Sequence, residues 1–181
     1  PLKRIALKLV LSSLSYNSVG REARTKMHKV FFGLFLKDRS RDKIEKILRE
    51  NNILLELDKN LHLTVLLDTE TYIDRDIDKK YFDRFKDSSI MTEDIEILEY
   101  NQNRFLVLTI KDNRIIELRE HLEELGYRNY YKTENPIYHV TIKSLLDKDF
   151  SLDKKFDCLR NLELEIEELR QERAISYSKS S

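Results

Sequence analysis

Two short motifs each place a histidine two residues before a threonine. His62 and Thr64 form the first pair, and His139 and Thr141 form the second. Because residues two apart in a strand point to the same side, each histidine would lie beside its threonine. Imidazole gives and takes protons near neutral pH, and a hydroxyl can donate a hydrogen bond to a phosphate oxygen. Together the two pairs predict cleavage of a phosphodiester bond by general acid–base catalysis.

Both motifs lie in segments that are otherwise almost continuously apolar. Residues 61–67 and 137–142 have this composition, which is typical of strands covered on both faces. Burying an imidazole and a hydroxyl is costly unless both are satisfied, and a water-filled cleft on one face would remove that cost. We therefore expect the two pairs to face each other across one cleft.

Lys143 occupies the next position on the same strand face as the second pair. Its charge could help to hold the phosphate group. The first motif has Leu66 beyond its pair and no matching lysine. The two half-sites would then be unequal, which suits separate acid and base roles.

A structural interpretation competes with the catalytic one. A single histidine in a strand is more often a satisfied core or surface residue than a catalyst. Two matching patterns at equivalent places of an apparent repeat favour a paired site. Two histidines could also bind a metal, but neither motif has cysteine or acidic ligands at a recognised spacing, so we expect no metal and no cofactor. His28 and His121 lie outside any motif and receive no role.

The motif strands close the two halves of this apparent repeat. In each half an apolar strand, at 30–38 or at 104–112, precedes an amphipathic helix and then the motif strand. Gly126 is a suitable end for the second helix. The apolar positions of the two helices are Ile44, Ile47 and Leu48 in the first half, and Ile115, Leu118, Leu122 and Leu125 in the second.

Between the halves, the sequence predicts a helix and a hairpin. Residues 74–86 have helical composition. Ile95, Ile97 and Tyr100 alternate as a strand before the polar turn at 101–103, which would connect to the strand of the second half.

The two ends of the chain are less clearly patterned. Residues 162–166 alternate as a strand, although a helix also fits, and residues 5–11 fit either structure. We divide the chain into an N-terminal extension at 1–26, a body at 27–175 and a flexible tail at 176–181.

Composition narrows the class of protein and of partner. The chain has 181 residues, of which 40% are hydrophobic and 36% charged, as in a globular protein. Its 33 basic residues equal its 33 acidic residues, so we expect no binding of long duplex DNA. The single cysteine and the absence of a long apolar run predict a cytoplasmic protein, in the host cytoplasm if the chain is viral, without membrane attachment. We expect a monomer.

The residues 61–65 and 138–142 resemble the paired hydrophobic-His-x-Ser/Thr-hydrophobic motifs of the 2H phosphoesterase superfamily. That superfamily includes RNA ligase-like proteins, cyclic phosphodiesterases, 2′-5′ oligoadenylate phosphodiesterases and phage enzymes that degrade the cyclic oligonucleotide signals of CBASS defence. The resemblance implies an α+β fold with two pseudo-symmetric β-sheet lobes, helices outside and a central cleft. It also implies that the two histidines are catalytic, that the two threonines hold phosphate, and that no metal is needed.

The sequence gives fewer indications of the substrate than of the reaction. Tyr130, Tyr131 and Lys132 precede the second motif strand and combine aromatic rings with a charge, as nucleotide-binding loops do. The same tyrosines could instead pack the core. We expect short or cyclic oligonucleotides, with 2′-5′ or 3′-5′ linkages, including immune second messengers. The alternatives are RNA ends with a 2′,3′-cyclic phosphate, a non-catalytic nucleotide- or RNA-binding module, and a metal hydrolase.

Overall fold

A computed structural model describes the backbone of residues 24–69, 75–130 and 136–179, and the side chains of these segments between residues 29 and 173. These segments form an α+β fold of six strands, three α-helices and one 3-10 helix: β1 (Arg24–Leu36), α1 (Asp38–Glu50), β2 (His62–Asp68), α2 (Lys79–Phe85), β3 (Ser89–Tyr100), β4 (Asn103–Ile110), α3 (Asn113–Glu124), β5 (Tyr138–Lys143), the 3-10 helix (Lys154–Leu159) and β6 (Glu163–Lys179). The ambiguous segment at 5–11 and the residues Tyr131 and Lys132 lie outside the described residues.

All neighbouring strands run antiparallel, and their order closes on itself. The order is β1-β2-β5-β4-β3-β6, and β6 returns to pair with β1. The two motif strands, β2 and β5, are therefore neighbours although 69 residues separate Asp68 from Tyr138 in the chain. This adjacency brings the two His/Thr pairs together.

The predicted repeat is present in the order of the elements. Strand, helix and motif strand occur as β1-α1-β2 and again as β4-α3-β5. Helix α3 begins where the Asp112 side chain accepts a hydrogen bond from the amide of Arg114. It ends at Glu124 and is followed by Gly126, whose φ of 97° allows the amide of Tyr127 to donate to the carbonyl of Leu122.

The main hydrophobic core lies on one face of the strands. This core face carries Leu34, Leu63 and Val140, which are fully buried and belong to the same cluster as the apolar residues of α1 and α3. The core cluster contains Ile44 and Leu48 from α1 and Ile115, Leu118 and Leu122 from α3, as the amphipathic patterns predict. We name the opposite face of β1, β2 and β5 the site face, because it carries the two motif pairs.

Two predicted elements differ in extent from the structure. Of the helix predicted at 74–86, only Lys79–Phe85 is helical, because Asp78 caps it by accepting a hydrogen bond from the amide of Lys80. Residues 75–78 are not helical. The hairpin strand before the turn at 101–103 already begins at Ser89.

The ambiguous segment at 162–166 is a strand, because β6 begins at Glu163. Strand pairing between β1 and β6 extends from Leu36 opposite Ile166 to Arg24 opposite Lys179. The pairing thus continues three residues before Met27. Every helix among the described residues is too short to cross a membrane.

Candidate active site

The contact between Leu63 and Val140 sets the geometry of the site. These two residues are paired across the antiparallel strands β2 and β5. One residue further along each strand, His62 lies opposite Thr141 and Thr64 lies opposite His139. Leu63 and Val140 are buried on the core face, whereas the four motif residues are half-buried on the site face. Opposite side chains in such a pair begin about 5 Å apart, so the motif residues form one cluster.

Both imidazole rings are held by the same local contact. Nδ1 of His62 lies 3.1 Å from the carbonyl oxygen of Asn60, and Nδ1 of His139 lies 2.9 Å from that of Ile137. A carbonyl oxygen only accepts, so each Nδ1 carries the donated proton. In the neutral ring, Nε2 is therefore the unprotonated nitrogen that can accept a proton, and in the charged ring it can donate one.

Burial lowers the pKa of both histidines below its ordinary value. For His62, burial is the largest cause, the neighbouring His139 lowers the pKa further, and the carbonyl of Asn60 and the charge of Asp58 act in the opposite direction. For His139, burial again dominates, while the carbonyl of Ile137 and the charge of Glu96 raise the pKa. The effect of His139 on His62 agrees with the pairing of β2 with β5.

Aromatic side chains of β1 surround His62. The ring of Phe35 is stacked on His62 with centroids 5.4 Å apart, and the ring of Phe31 meets it edge-on at 5.5 Å. Phe31, Phe35 and Leu67 form a small apolar cluster separate from the main core. The guanidinium carbon of Arg170 lies 4.0 Å from the centre of the Phe35 ring. This packing limits the movement of the His62 ring.

Gly33 makes room for this aromatic packing. It pairs with Thr64, and a β-carbon on Gly33 would lie 2.4 Å from Cζ of Phe31. Non-bonded carbons do not approach so closely, so a larger residue here would displace a ring that contacts His62. Glycine therefore allows Phe31 to lie beside the first motif pair.

Strands β4 and β3 complete the site face next to His139. Thr109 pairs with His139, and its hydroxyl accepts a hydrogen bond from the amide of Asp94 at 3.0 Å. Val107 pairs with Thr141 and with Glu96 on β3. A half-buried carboxylate therefore lies on the His139 side of the cluster, where its charge acts on that imidazole.

The substrate-binding residues suggested by the sequence have different outcomes. Lys143 is half-buried, but β5 shifts register between Thr141 and Lys143, so that Lys143 pairs with the core residue Leu106. Because simple alternation does not continue through this shift, its contact with phosphate stays a prediction. Tyr130 is partly exposed, and its amide donates to the carbonyl of Leu67. That contact brings the start of the proposed recognition loop to the end of β2.

Sequence reasoning missed the residues that surround the histidines. They are Phe31, Gly33 and Phe35 on β1, Glu96 on β3, Thr109 on β4 and Arg170 on β6. One signal was available for β1, because its apolar residues occupy both strand faces, as in a strand covered on both sides. The contributions of β3 and β6 depend on register, which a single sequence does not display.

Comparison of the chain with protein-family models and with curated proteins finds no match. The resemblance to 2H phosphoesterases therefore depends on the two motifs, and what the structure adds is their arrangement. His62, Thr64, His139 and Thr141 lie on one face of two paired strands, and both imidazoles present Nε2 as the nitrogen free for proton transfer.

Proposed function

We propose that the chain is a metal-independent phosphodiesterase that cleaves short or cyclic oligonucleotides by acid–base catalysis with His62 and His139. The observation that carries the proposal is the pairing of Leu63 with Val140, which places one His/Thr pair opposite the other on the same face. Two histidines on one face of neighbouring strands can act on the two oxygens of one phosphodiester group.

The reaction needs one neutral and one protonated imidazole. The neutral ring removes the proton of the attacking oxygen through Nε2, and the protonated ring gives its Nε2 proton to the leaving oxygen. If the substrate has a free 2′-hydroxyl beside the bond, that hydroxyl attacks and a cyclic phosphate forms. Otherwise a water molecule attacks the phosphorus.

Thr64 and Thr141 supply the hydroxyl donors for the phosphate. They alternate with the histidines in the cluster, because Thr64 lies opposite His139 and Thr141 lies opposite His62. Hydrogen bonds from both hydroxyls to the non-bridging oxygens would stabilise the charge that develops as the five-coordinate phosphorus forms. In this proposal Lys143 adds positive charge.

The proposed substrate class is supported by the residues of the site and by the net charge of the whole chain. Equal numbers of acidic and basic residues give little long-range attraction for a polyanion, so a short substrate fits better than a long duplex. Tyr130, Tyr131 and Lys132 are proposed to contact the bases. We further propose that the β1-α1-β2 and β4-α3-β5 units correspond to the two lobes of a 2H phosphoesterase.

A substrate panel tests the proposal. The panel contains linear 2′-5′ and 3′-5′ dinucleotides and trinucleotides, cyclic dinucleotides and trinucleotides, and RNA ends with a 2′,3′-cyclic phosphate, all incubated with a chelator. Wild type is compared with His62→Gln and His139→Gln, and His121→Gln on α3 is the matched control. We expect turnover in wild type and in the control, and a loss of about 100- to 10,000-fold in each motif variant.

Three other results would contradict the proposal. Activity that survives both motif substitutions would exclude the paired site. Activity lost only in the chelator would favour a metal hydrolase. Binding of a nucleotide without turnover, in wild type, would favour a non-catalytic binding module.

A further inference from the structure

The two histidines are held alike but surrounded differently. Each histidine donates a hydrogen bond from Nδ1 to the carbonyl oxygen two residues before it, so this backbone contact is the same for both rings. His62 is packed against the rings of Phe35 and Phe31. On β4 the residues that pair with His139 and Thr141 are Thr109 and Val107, so no aromatic ring lies directly opposite His139 on that strand. Apolar packing favours a neutral imidazole, and this effect is greater at His62.

The carboxylate of Glu96 is a second difference between the surroundings of His139 and those of His62. Glu96 pairs with Val107, which in turn pairs with Thr141, so Glu96 lies on the site face two strands away from β5. Its charge raises the pKa of His139, which lies on the nearer of the two motif strands. Among the described side chains, none forms a hydrogen bond or an ion pair with the Glu96 carboxylate.

The other charged groups near the pair have partners of their own. Strand β4 contributes only the uncharged Val107 and Thr109 to the positions beside His139. The Asp94 carboxylate on β3 is paired with Arg160 at 2.9 Å, and Glu168 on β6, which pairs with Phe35, forms an ion pair with Arg170. Asp58 in the loop before β2 raises the pKa of His62, but its carboxylate accepts hydrogen bonds from the amide and the hydroxyl of Ser144. Lys143 lies beyond the register shift of β5.

We propose that Glu96 makes the two half-sites unequal by holding the proton on His139, so that His139 is the general acid and His62 the general base. This inference rests on the proposed phosphodiesterase function. Glu96 is a positioning residue in it, because its carboxylate acts through His139 and contacts neither the phosphate nor the attacking oxygen.

The proton transfers of one cleavage then have a fixed direction. Nε2 of His62 takes the proton of the attacking hydroxyl or water as the new oxygen–phosphorus bond forms. The bond from phosphorus to the leaving oxygen breaks, and the Nε2 proton of His139 moves to that oxygen. The step ends with His62 protonated and His139 neutral, so one proton has been taken up and one released.

Titration of the histidines by NMR tests the electrostatic part without a substrate. The ring signals of His62 and His139, assigned with His→Gln variants, are followed against pH in wild type, Glu96→Gln and the control Glu99→Gln. Glu99 lies on the same strand, exposed and paired with Arg104, so its substitution removes an equal charge at a distance from the site. We expect Glu96→Gln to lower the pKa of His139 more than that of His62, and Glu99→Gln to leave both unchanged.

A substrate with an activated leaving group tests the assignment of roles. The wild type and the two histidine variants are compared on the natural linkage and on a nucleoside 4-nitrophenyl phosphodiester, whose leaving group needs no proton. We expect His139→Ala to lose about 100-fold or more on the natural linkage and less than about 10-fold on the nitrophenyl ester. His62→Ala should lose activity on both. In Glu96→Gln, the alkaline limb of kcat/KM should move to lower pH.

The outcomes separate this inference from the proposed function. Rescue of His62→Ala instead of His139→Ala, or a Glu96→Gln titration equal to that of Glu99→Gln, would overturn the inference and leave a phosphodiesterase with the roles reversed or shared. The absence of turnover on every diester in wild type would overturn the proposed function itself, whatever the titration shows.

Discussion

Leu63 on β2 pairs with Val140 on β5, and in an antiparallel pair this places Thr64 opposite His139 and Thr141 opposite His62. Each histidine therefore has a threonine from its own strand, two residues away, and a second threonine directly across from it. Both motifs have the order histidine then threonine along the chain. Because the strands are antiparallel and pair at Leu63 and Val140, this order is reversed from one strand to the other. A phosphate group bound on this face would contact both hydroxyl groups and both imidazole rings.

The threonine hydroxyls should matter for catalysis more than for stability. Replacing Thr64 or Thr141 with valine keeps the shape of the side chain and removes the donor. We expect kcat to fall by about 100-fold or more in each variant, as for loss of one donor to a developing negative charge. The variants are measured on the best substrate of the panel, with urea unfolding in parallel.

Serine is the matched control for these substitutions because it keeps the hydroxyl and loses only a methyl group. Thr64→Ser and Thr141→Ser should retain kcat within about 10-fold of wild type. Equal losses for serine and valine would show that the methyl group, and therefore packing, is responsible.

The contact between Gly33 and Phe31 should be visible as a coupling in stability. Gly33→Ala introduces a β-carbon 2.4 Å from Cζ of Phe31, and overpacking of this kind destabilises by about 1–3 kcal/mol. In a Phe31→Leu background the ring is absent, so the added cost of Gly33→Ala should shrink. A double-mutant cycle of unfolding free energies measures this coupling, and an unchanged cost in the leucine background would exclude the contact as the cause.

Much of the fold could be predicted from the sequence because it depends on local patterns. The apolar spacing of Ile44 and Leu48, and of Ile115 and Leu118, identified the helices that cover the core. Gly126 marked the end of α3, and its positive φ is the conformation that glycine favours. The helix at 74–86 was predicted too long, because composition does not show where the Asp78 cap begins the helix.

The motif residues could also be found from the sequence, since alternation in a strand fixes which side chains share a face. The residues that surround the motif histidines could not be found in this way. Phe35 reaches His62 through the pairing of β1 with β2, and Arg170 reaches Phe35 through the pairing of β6 with β1. Glu96 reaches the site through two further strand pairs. Register across strands distant in the chain determines all three contacts, and no single segment encodes it.

The stacked ring of Phe35 should contribute to the low pKa of His62. Phe35→Leu keeps an apolar side chain and removes the aromatic face that lies 5.4 Å from the imidazole centre. Water should gain access to the ring, so we expect the pKa of His62 to rise toward its ordinary value. NMR titration of wild type and variant measures the change.

Phe105→Leu on β4 is the control for this substitution, since it is a comparable change on a strand that does not adjoin β2. It should leave the titration of His62 as in wild type. A fall in the pKa of His62 in Phe35→Leu, or an equal rise in both variants, would contradict a specific effect of the stacked ring.

Acid should weaken the folded state through the same two histidines. Burial lowers the pKa of His62 and of His139, so the folded protein binds fewer protons than the unfolded chain, whose histidines titrate near pH 6.5. The stabilisation is fully present above that pH and is lost as the pH falls from about 6.5 through the folded pKa values. Urea unfolding between pH 8 and pH 5 measures this loss. The carboxyl groups of Asp78, Asp87 and Asp112 have lowered pKa values and should affect stability mainly below this range.

Variants that cannot take up the proton should lose less stability in acid. His62→Gln and His139→Gln should each flatten the dependence of the unfolding free energy on pH between 6.5 and 5, because glutamine does not titrate. The double variant should flatten it further, but the two effects should not add, since each charged imidazole opposes the charging of the other. A wild-type free energy that is constant over this range, or an equal fall in the double variant, would show that burial of these two histidines does not lower their pKa values.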